Sequence, residues 1–95
     1  MPIERLIWDG GNAPHRASHG ISRAAVEDLV FWGSWVRVRS TRYPGQIRLI
    51  GVTPGGRWLT IAVEPTATPG GRRPVTGWPC TEREVAYYVA RRRAR

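Results

Sequence analysis

Residues 48–63 read Arg48-Leu49-Ile50-Gly51-Val52-Thr53-Pro54-Gly55-Gly56-Arg57-Trp58-Leu59-Thr60-Ile61-Ala62-Val63. This stretch decides the fold. Thr53-Pro54-Gly55-Gly56-Arg57 is a turn signal set between two β-prone runs, so it predicts a hairpin. The first arm extends from Gln46 to Thr53. The second runs from Arg57 to Glu64 and alternates, with Leu59, Ile61 and Val63 on one face.

Outward from the hairpin the pattern stays simple. Trp35-Val36-Arg37-Val38-Arg39 alternates and predicts a preceding strand. After a loop over residues 65–71, Arg73 to Trp78 adds a fourth strand to this antiparallel set. At the other end of the chain, Ile3 to Trp8 reads as a short strand, with Leu6 and Trp8 on one face. Asp9-Gly10-Gly11-Asn12 breaks it. Residues 12–19 read as a short helix ending at Gly20, with Pro14 tolerated near its start.

Two further helices have clear start signals. Ser22 is an N-cap, and Ile21 and Val26 are spaced for a hydrophobic staple. Val26, Leu29 and Val30 form the apolar stripe, Glu27 and Asp28 face outward, and Gly33 ends the run. Thr81 caps the C-terminal helix and Glu84 completes a capping box, with Cys80 and Val85 as a second staple. Glu82 and Glu84 occupy its first turn and Arg91, Arg92, Arg93 and Arg95 its end, as the helix dipole prefers. Val85, Tyr88 and Val89 form its inward stripe. Trp8, Trp32 and Trp58 read as core residues. The expectation is an α+β domain: an antiparallel sheet of about four strands with N-terminal helices and a C-terminal helix packed on it. Such a sheet can keep part of a face for a ligand.

A length of 95 residues suits one small domain with one core, and 41% hydrophobic content argues against wholesale disorder. The 15 basic residues, all arginine, outnumber 7 acidic ones and leave a net charge of +8. Arginine stays charged and offers a planar fork of donors that matches phosphate. RNA, DNA or an acidic protein is the expected kind of partner. Cys80 is the single cysteine, so no internal disulfide forms. The first residues lack the apolar run of a secretory leader, and no stretch has the roughly 20 apolar residues of a membrane span. A soluble cytoplasmic protein without membrane contact is the expectation.

Trp8-Asp9, then Asn12, His15 and His19-Gly20-Ile21, resemble the opening motif of BrnT-like toxins. Residues 48–63 resemble the central hairpin of that family, and Val75-Thr76 followed by Thr81, Glu84 and Tyr88 resembles its closing strand and helix. The ordered set spans nearly the whole chain. A second RelE-like group shares the His19-Gly20-Ile21-Ser22 and hairpin features. The resemblance implies a RelE-like fold, metal-independent ribonuclease activity without a cofactor, and growth arrest. It also implies neutralisation by a ribbon-helix-helix antitoxin of the BrnA type, with DNA bound only through that antitoxin. The chain departs from the family pattern at two places. Ser18 stands where the family usually has a Lys, and Trp78 where it usually has an Arg. Both changes remove positive charge near the expected RNA site.

RNA cleavage without a metal uses the 2′-OH as nucleophile, so the protein must hold the phosphate, stabilise negative charge and move two protons. Arg57 matches a family arginine. Arg57 and Arg73 are the candidate charge-stabilising groups, and Arg48, Arg72 and Trp78 the candidate RNA-binding groups, with a sheet able to bring Arg48, Arg57 and Arg73 to one side. His15 and His19 are four residues apart and are candidates for acid–base work. They are alternatively a metal pair with no evident third ligand, and His19 alternatively closes a helix end beside Gly20. Tyr88 reads as half core, with a hydroxyl that can reach the site, and Glu84 as a cap or a base. Cys80 has no evident paired base, and no phosphate-binding loop, zinc-ligand spacing or Ser–His–Asp pattern is present. Three function classes remain: a ribonuclease toxin, a binding relative without catalysis, and a DNA-bound autoregulatory subunit.

Overall fold

The computed structural model describes residues 3–8 and 21–94. The turn at Thr53–Gly56 forms as its sequence requires. Gly56 adopts φ +88°, a left-handed conformation that glycine takes without a Cβ clash. Its N–H donates to Thr53 O at 2.9 Å, and the Thr53 hydroxyl oxygen accepts from Arg57 N at 3.1 Å. The arms are β3 (Ile47–Val52) and β4 (Trp58–Pro65). They pair antiparallel with each other, β3 also with β2 (Ser34–Arg39) and β4 also with β5 (Gly71–Pro79). A short β1 (Arg5–Leu6) adds itself to β5 in parallel. The sheet therefore has five strands in the order β1-β5-β4-β3-β2, and it is mixed rather than wholly antiparallel. The reason is that the helical connection carries the chain from β1 to β2 at the opposite edge, and three successive antiparallel pairings then bring β5 back beside β1 running in the same direction.

Strand register sorts the side chains into two faces. One face carries Trp35, Leu49, Leu59, Ile61 and Val63, and the first helix covers it. That helix, α1 (Arg23–Glu27), is capped by the Ser22 hydroxyl, which accepts from Ala25 N at 3.1 Å. It continues as a π-helical segment, Asp28–Trp32. Ile21, Val26, Leu29 and Val30 are buried with Leu49, Leu59, Ile61 and Val63 in a core that Ile3 also joins. Trp35 locks the junction by donating from Nε1 to Val30 O at 3.0 Å. Gly51 faces Trp35 across β2 and β3. A Cβ there would lie 2.0 Å from Ser34 O and 2.7 Å from the Trp35 Cβ, so only glycine lets these strands meet.

Two expectations of burial need correcting. Trp32 is 76% exposed, not core. An ordinary helix would bring the third residue after Leu29 back near the core face. The wider π turn rotates less per residue and leaves Trp32 facing outward. Val89 is 38% exposed, so the inward stripe of the C-terminal helix is narrower than expected.

That helix, α2 (Glu82–Arg93), lies on the other face of the sheet. Thr81 and Glu84 form the capping box, with Thr81 N donating to Glu84 Oε1 at 2.9 Å and Glu84 N to Thr81 Oγ1 at 3.2 Å. The Tyr88 ring meets Trp58 edge-on at 5.2 Å. The helices thus sit on opposite faces of the sheet, an α+β arrangement of three layers.

Candidate nucleic-acid interface

The face that carries α2 also carries three of the expected RNA-site residues. Arg48 pairs with Ala62, and Ala62 with Thr76, while Trp78 pairs with Thr60 one step along β4 on the same face. Arg48 and Trp78 are therefore diagonal neighbours across β4. The Arg48 guanidinium carbon lies 5.7 Å from the centre of the Trp78 ring, within cation–π range. The indole N–H of Trp78 donates to the Glu84 carboxylate, 3.1 Å from each oxygen. Glu84 thus does two jobs, capping α2 and fixing the Trp78 edge. The ring is held by α2 at its edge and by Arg48 over its plane.

Arg73 reaches the same face through a bulge. The β4–β5 register shifts between Ala62 and Val63, so that Val75 has no partner on β4. Pro74 beside it lacks an N–H to give to the ladder, which suits a bulge. Simple alternation back from Trp78 and Thr76 would put Arg73 on the α1 side. The extra residue turns it over, and its Nη1 donates to Glu64 Oε1 at 3.1 Å. Arg72 is turned the other way and lines a cleft on the α1 side with Arg37 and Arg39.

Other expected site residues lie elsewhere. Arg57 sits at the hairpin turn, whereas Arg73 pairs with Glu64 at the opposite end of β4. Seven residues at about 3.3 Å each put roughly 23 Å between them, so the sheet does not bring Arg57 to Arg48 and Arg73. The Tyr88 hydroxyl donates to Ser34 Oγ at 2.6 Å and docks α2 onto β2. His15 and His19, the expected helix over residues 12–19 and the Ser18 departure lie outside the described residues. Cys80 is half-buried, with Sγ 3.3 Å from Thr60 Oγ1. Burial pushes its thiol pKa up, and the nearby Glu84 charge adds to the rise against the opposing Thr60 hydrogen bond. That favours the thiol over the nucleophilic thiolate.

Sequence reasoning passed over Glu64, Arg37 and Arg39. The signal for Glu64 was present: alternation from Leu59 through Val63 puts Glu64 on the face away from the core. For the two arginines of β2 the signal was the absence of any acidic residue between Asp28 and Glu64.

Arginine forks and an aromatic ring, the groups this face presents, are the types that bind phosphate and stack on bases. The Glu64 carboxylate stands beside Arg73 on this face. Among the described residues no group of His, Cys, Asp and Glu has the makings of a metal site. No helix among them is long and apolar enough to cross a membrane. Compared with described protein families, functionally characterised proteins and solved structures, the chain matches none.

Proposed function

We propose that this chain acts on RNA as a RelE-like toxin of the BrnT kind, a metal-independent endoribonuclease working in the cytoplasm. The observation that carries the reading is the placing of Arg48, Trp78 and Arg73 on the one sheet face that also carries α2, with Arg48 stacked over Trp78. Arg48 and Arg73 bind the phosphate flanking the scissile bond and stabilise the charge that builds on it. The 2′-oxygen attacks phosphorus as a base takes its proton, and the bond to the 5′-oxygen breaks as an acid supplies one. The products are a 2′,3′-cyclic phosphate and a free 5′-hydroxyl. Glu64, His15 and His19 are the candidates for the two proton transfers. A ribbon-helix-helix antitoxin presenting an acidic segment covers this basic surface and carries the complex to DNA.

A second reading is a relative that binds RNA and antitoxin without cleaving. It is favoured by a specific observation: the Tyr88 hydroxyl and the Glu84 carboxylate are both engaged in holding α2. Induced expression in a bacterium, with growth and RNA integrity followed together, separates the two. Arrest with shortened messenger RNA supports the nuclease. Arrest with intact RNA supports the binding relative, and normal growth with intact RNA argues against a toxin.

A further inference from the structure

The cleft on the α1 side is formed at the end of the sheet where β2 finishes and β5 begins. Arg37, Arg39, Ile47, Pro65 and Arg72 line it, together with the β2–β3 loop. Among the described residues its lining includes no Asp or Glu, and Arg39 is exposed. Its volume is about 760 Å³, against roughly 30 Å³ for a water molecule, so it accommodates a stretch of polymer rather than one ion. The loop that walls it carries Tyr43, which is 54% exposed. The Arg42 guanidinium stacks over that ring at 5.7 Å. An arginine-lined groove with an exposed aromatic on the loop that walls it has the chemistry of single-strand recognition, in which phosphates meet the cations and a base stacks on the ring.

The position of the cleft matters as much as its composition. Arg72 lines it, and Arg73, the next residue, stands on the α2 face beside Glu64. Arg72 and Arg73 thus put positive charge on both faces at this end of the sheet, with Glu64 beside Arg73 on one of them.

We propose that this cleft binds a flanking segment of single-stranded RNA, with Arg39 and Arg72 on its phosphates and Tyr43 stacked on a base. The strand passes round the sheet end from the Arg48–Trp78–Arg73 face. The inference rests on the RNA-directed reading above and extends it to a second contact, which only a longer strand reaches. An acidic protein segment is the competing occupant. The stacking position of Tyr43 favours RNA, because a carboxylate-rich peptide has no use for an exposed ring already flanked by arginine.

The test uses the whole chain and fluorescent oligouridines of about 4 and about 16 nucleotides, the span of single-strand site sizes. Binding is followed by anisotropy over a range of salt concentrations. Circular dichroism and thermal melts establish that each variant is folded, and Arg72→Gln replaces Arg72→Ala should the latter fail to fold. The Arg39→Ala/Arg72→Ala double variant weakens binding of the long oligomer and lowers its salt slope by about 1.4, since each single-strand phosphate contact contributes about 0.7. Tyr43→Ala weakens the long oligomer about fivefold or more with the salt slope unchanged. Each change weakens the long oligomer by a larger factor than the short one. If the wild type binds the long oligomer and the cleft variants match it, the cleft proposal is overturned while the RNA reading stands. If the wild type binds neither oligomer, both fall. Competition by polyglutamate that depends on Arg39 and Arg72, with RNA binding indifferent to them, overturns the proposal in favour of an acidic partner.

Discussion

Arg73 meets Glu64 across the β4–β5 pair at 3.1 Å, and it does so because Val75 bulges out of register. The pair is part-exposed, with side-chain accessibilities of 29% and 40%. Solvent screens such a pair, so it contributes less than about 1 kcal/mol to folding. Its importance lies in what it does to the surface, where Glu64 offsets one of the charges available to a phosphate.

Glu64→Gln should therefore leave the denaturation midpoint nearly unchanged and tighten RNA binding, with a steeper dependence on salt. Anisotropy titrations of wild type and variant at matched salt measure this. Cleavage adds a second readout: if Glu64 accepts the 2′-OH proton, the variant binds more tightly and cleaves more slowly. Weaker RNA binding by a folded Glu64→Gln protein would contradict the assigned surface.

The Tyr88 hydroxyl, bonded to Ser34, is structural. Tyr88→Phe keeps the edge-on contact with Trp58 and loses one hydrogen bond. Urea denaturation should show a loss of about 0.5–1.5 kcal/mol. The cleavage rate of the folded variant should be unchanged. A large fall in cleavage with little change in stability would return Tyr88 to the reacting groups.

The contrast between Tyr88 and Arg73 shows how far the sequence could be read. The hairpin, the Ser22 cap, the Thr81–Glu84 capping box and the stripe of Val26, Leu29 and Val30 were legible because each rests on local spacing. The faces of Leu59, Ile61 and Val63 followed from alternation alone. What was hidden depended on partners distant in the chain. The Val75 bulge reverses the faces of Arg72 and Arg73, and nothing in the run Arg72-Arg73-Pro74-Val75 announces the side that each takes. The hairpin reading had the second strand open at Arg57, but β4 begins at Trp58 and Arg57 stays in the turn, at the far end from Arg73. The outward turn of Trp32 depended on the π-helical segment, which has no sequence signature in ordinary helical periodicity.

Cys80 gives a prediction in pH. Its pKa is raised in the folded protein, chiefly by burial, so the folded state holds the thiol proton more tightly than the unfolded state does. The contribution to stability is fully present below the ordinary thiol range. It is lost as pH rises through that range toward the folded value, because the unfolded chain ionises first. Thermal melts should show a loss of stability on the alkaline side that Cys80→Ser reduces. Alkylation near neutral pH should also be slower in the native protein than in denaturant. Equal rates in the two states would contradict the burial assigned to the thiol.

The central claim is that Arg48 and Arg73, on one face beside Trp78, serve RNA cleavage without a metal. Single-turnover cleavage of a single-stranded RNA by purified protein in a chelator-containing buffer tests it most directly. The account predicts cleavage by the wild type, leaving 2′,3′-cyclic phosphate ends. A folded Arg48→Ala/Arg73→Ala protein should be slower by about a hundredfold or more, the scale of losing preorganised charge stabilisation, and Arg57→Ala far less affected. Intact RNA with the wild type, or equal rates for the wild type and the double variant, would contradict it.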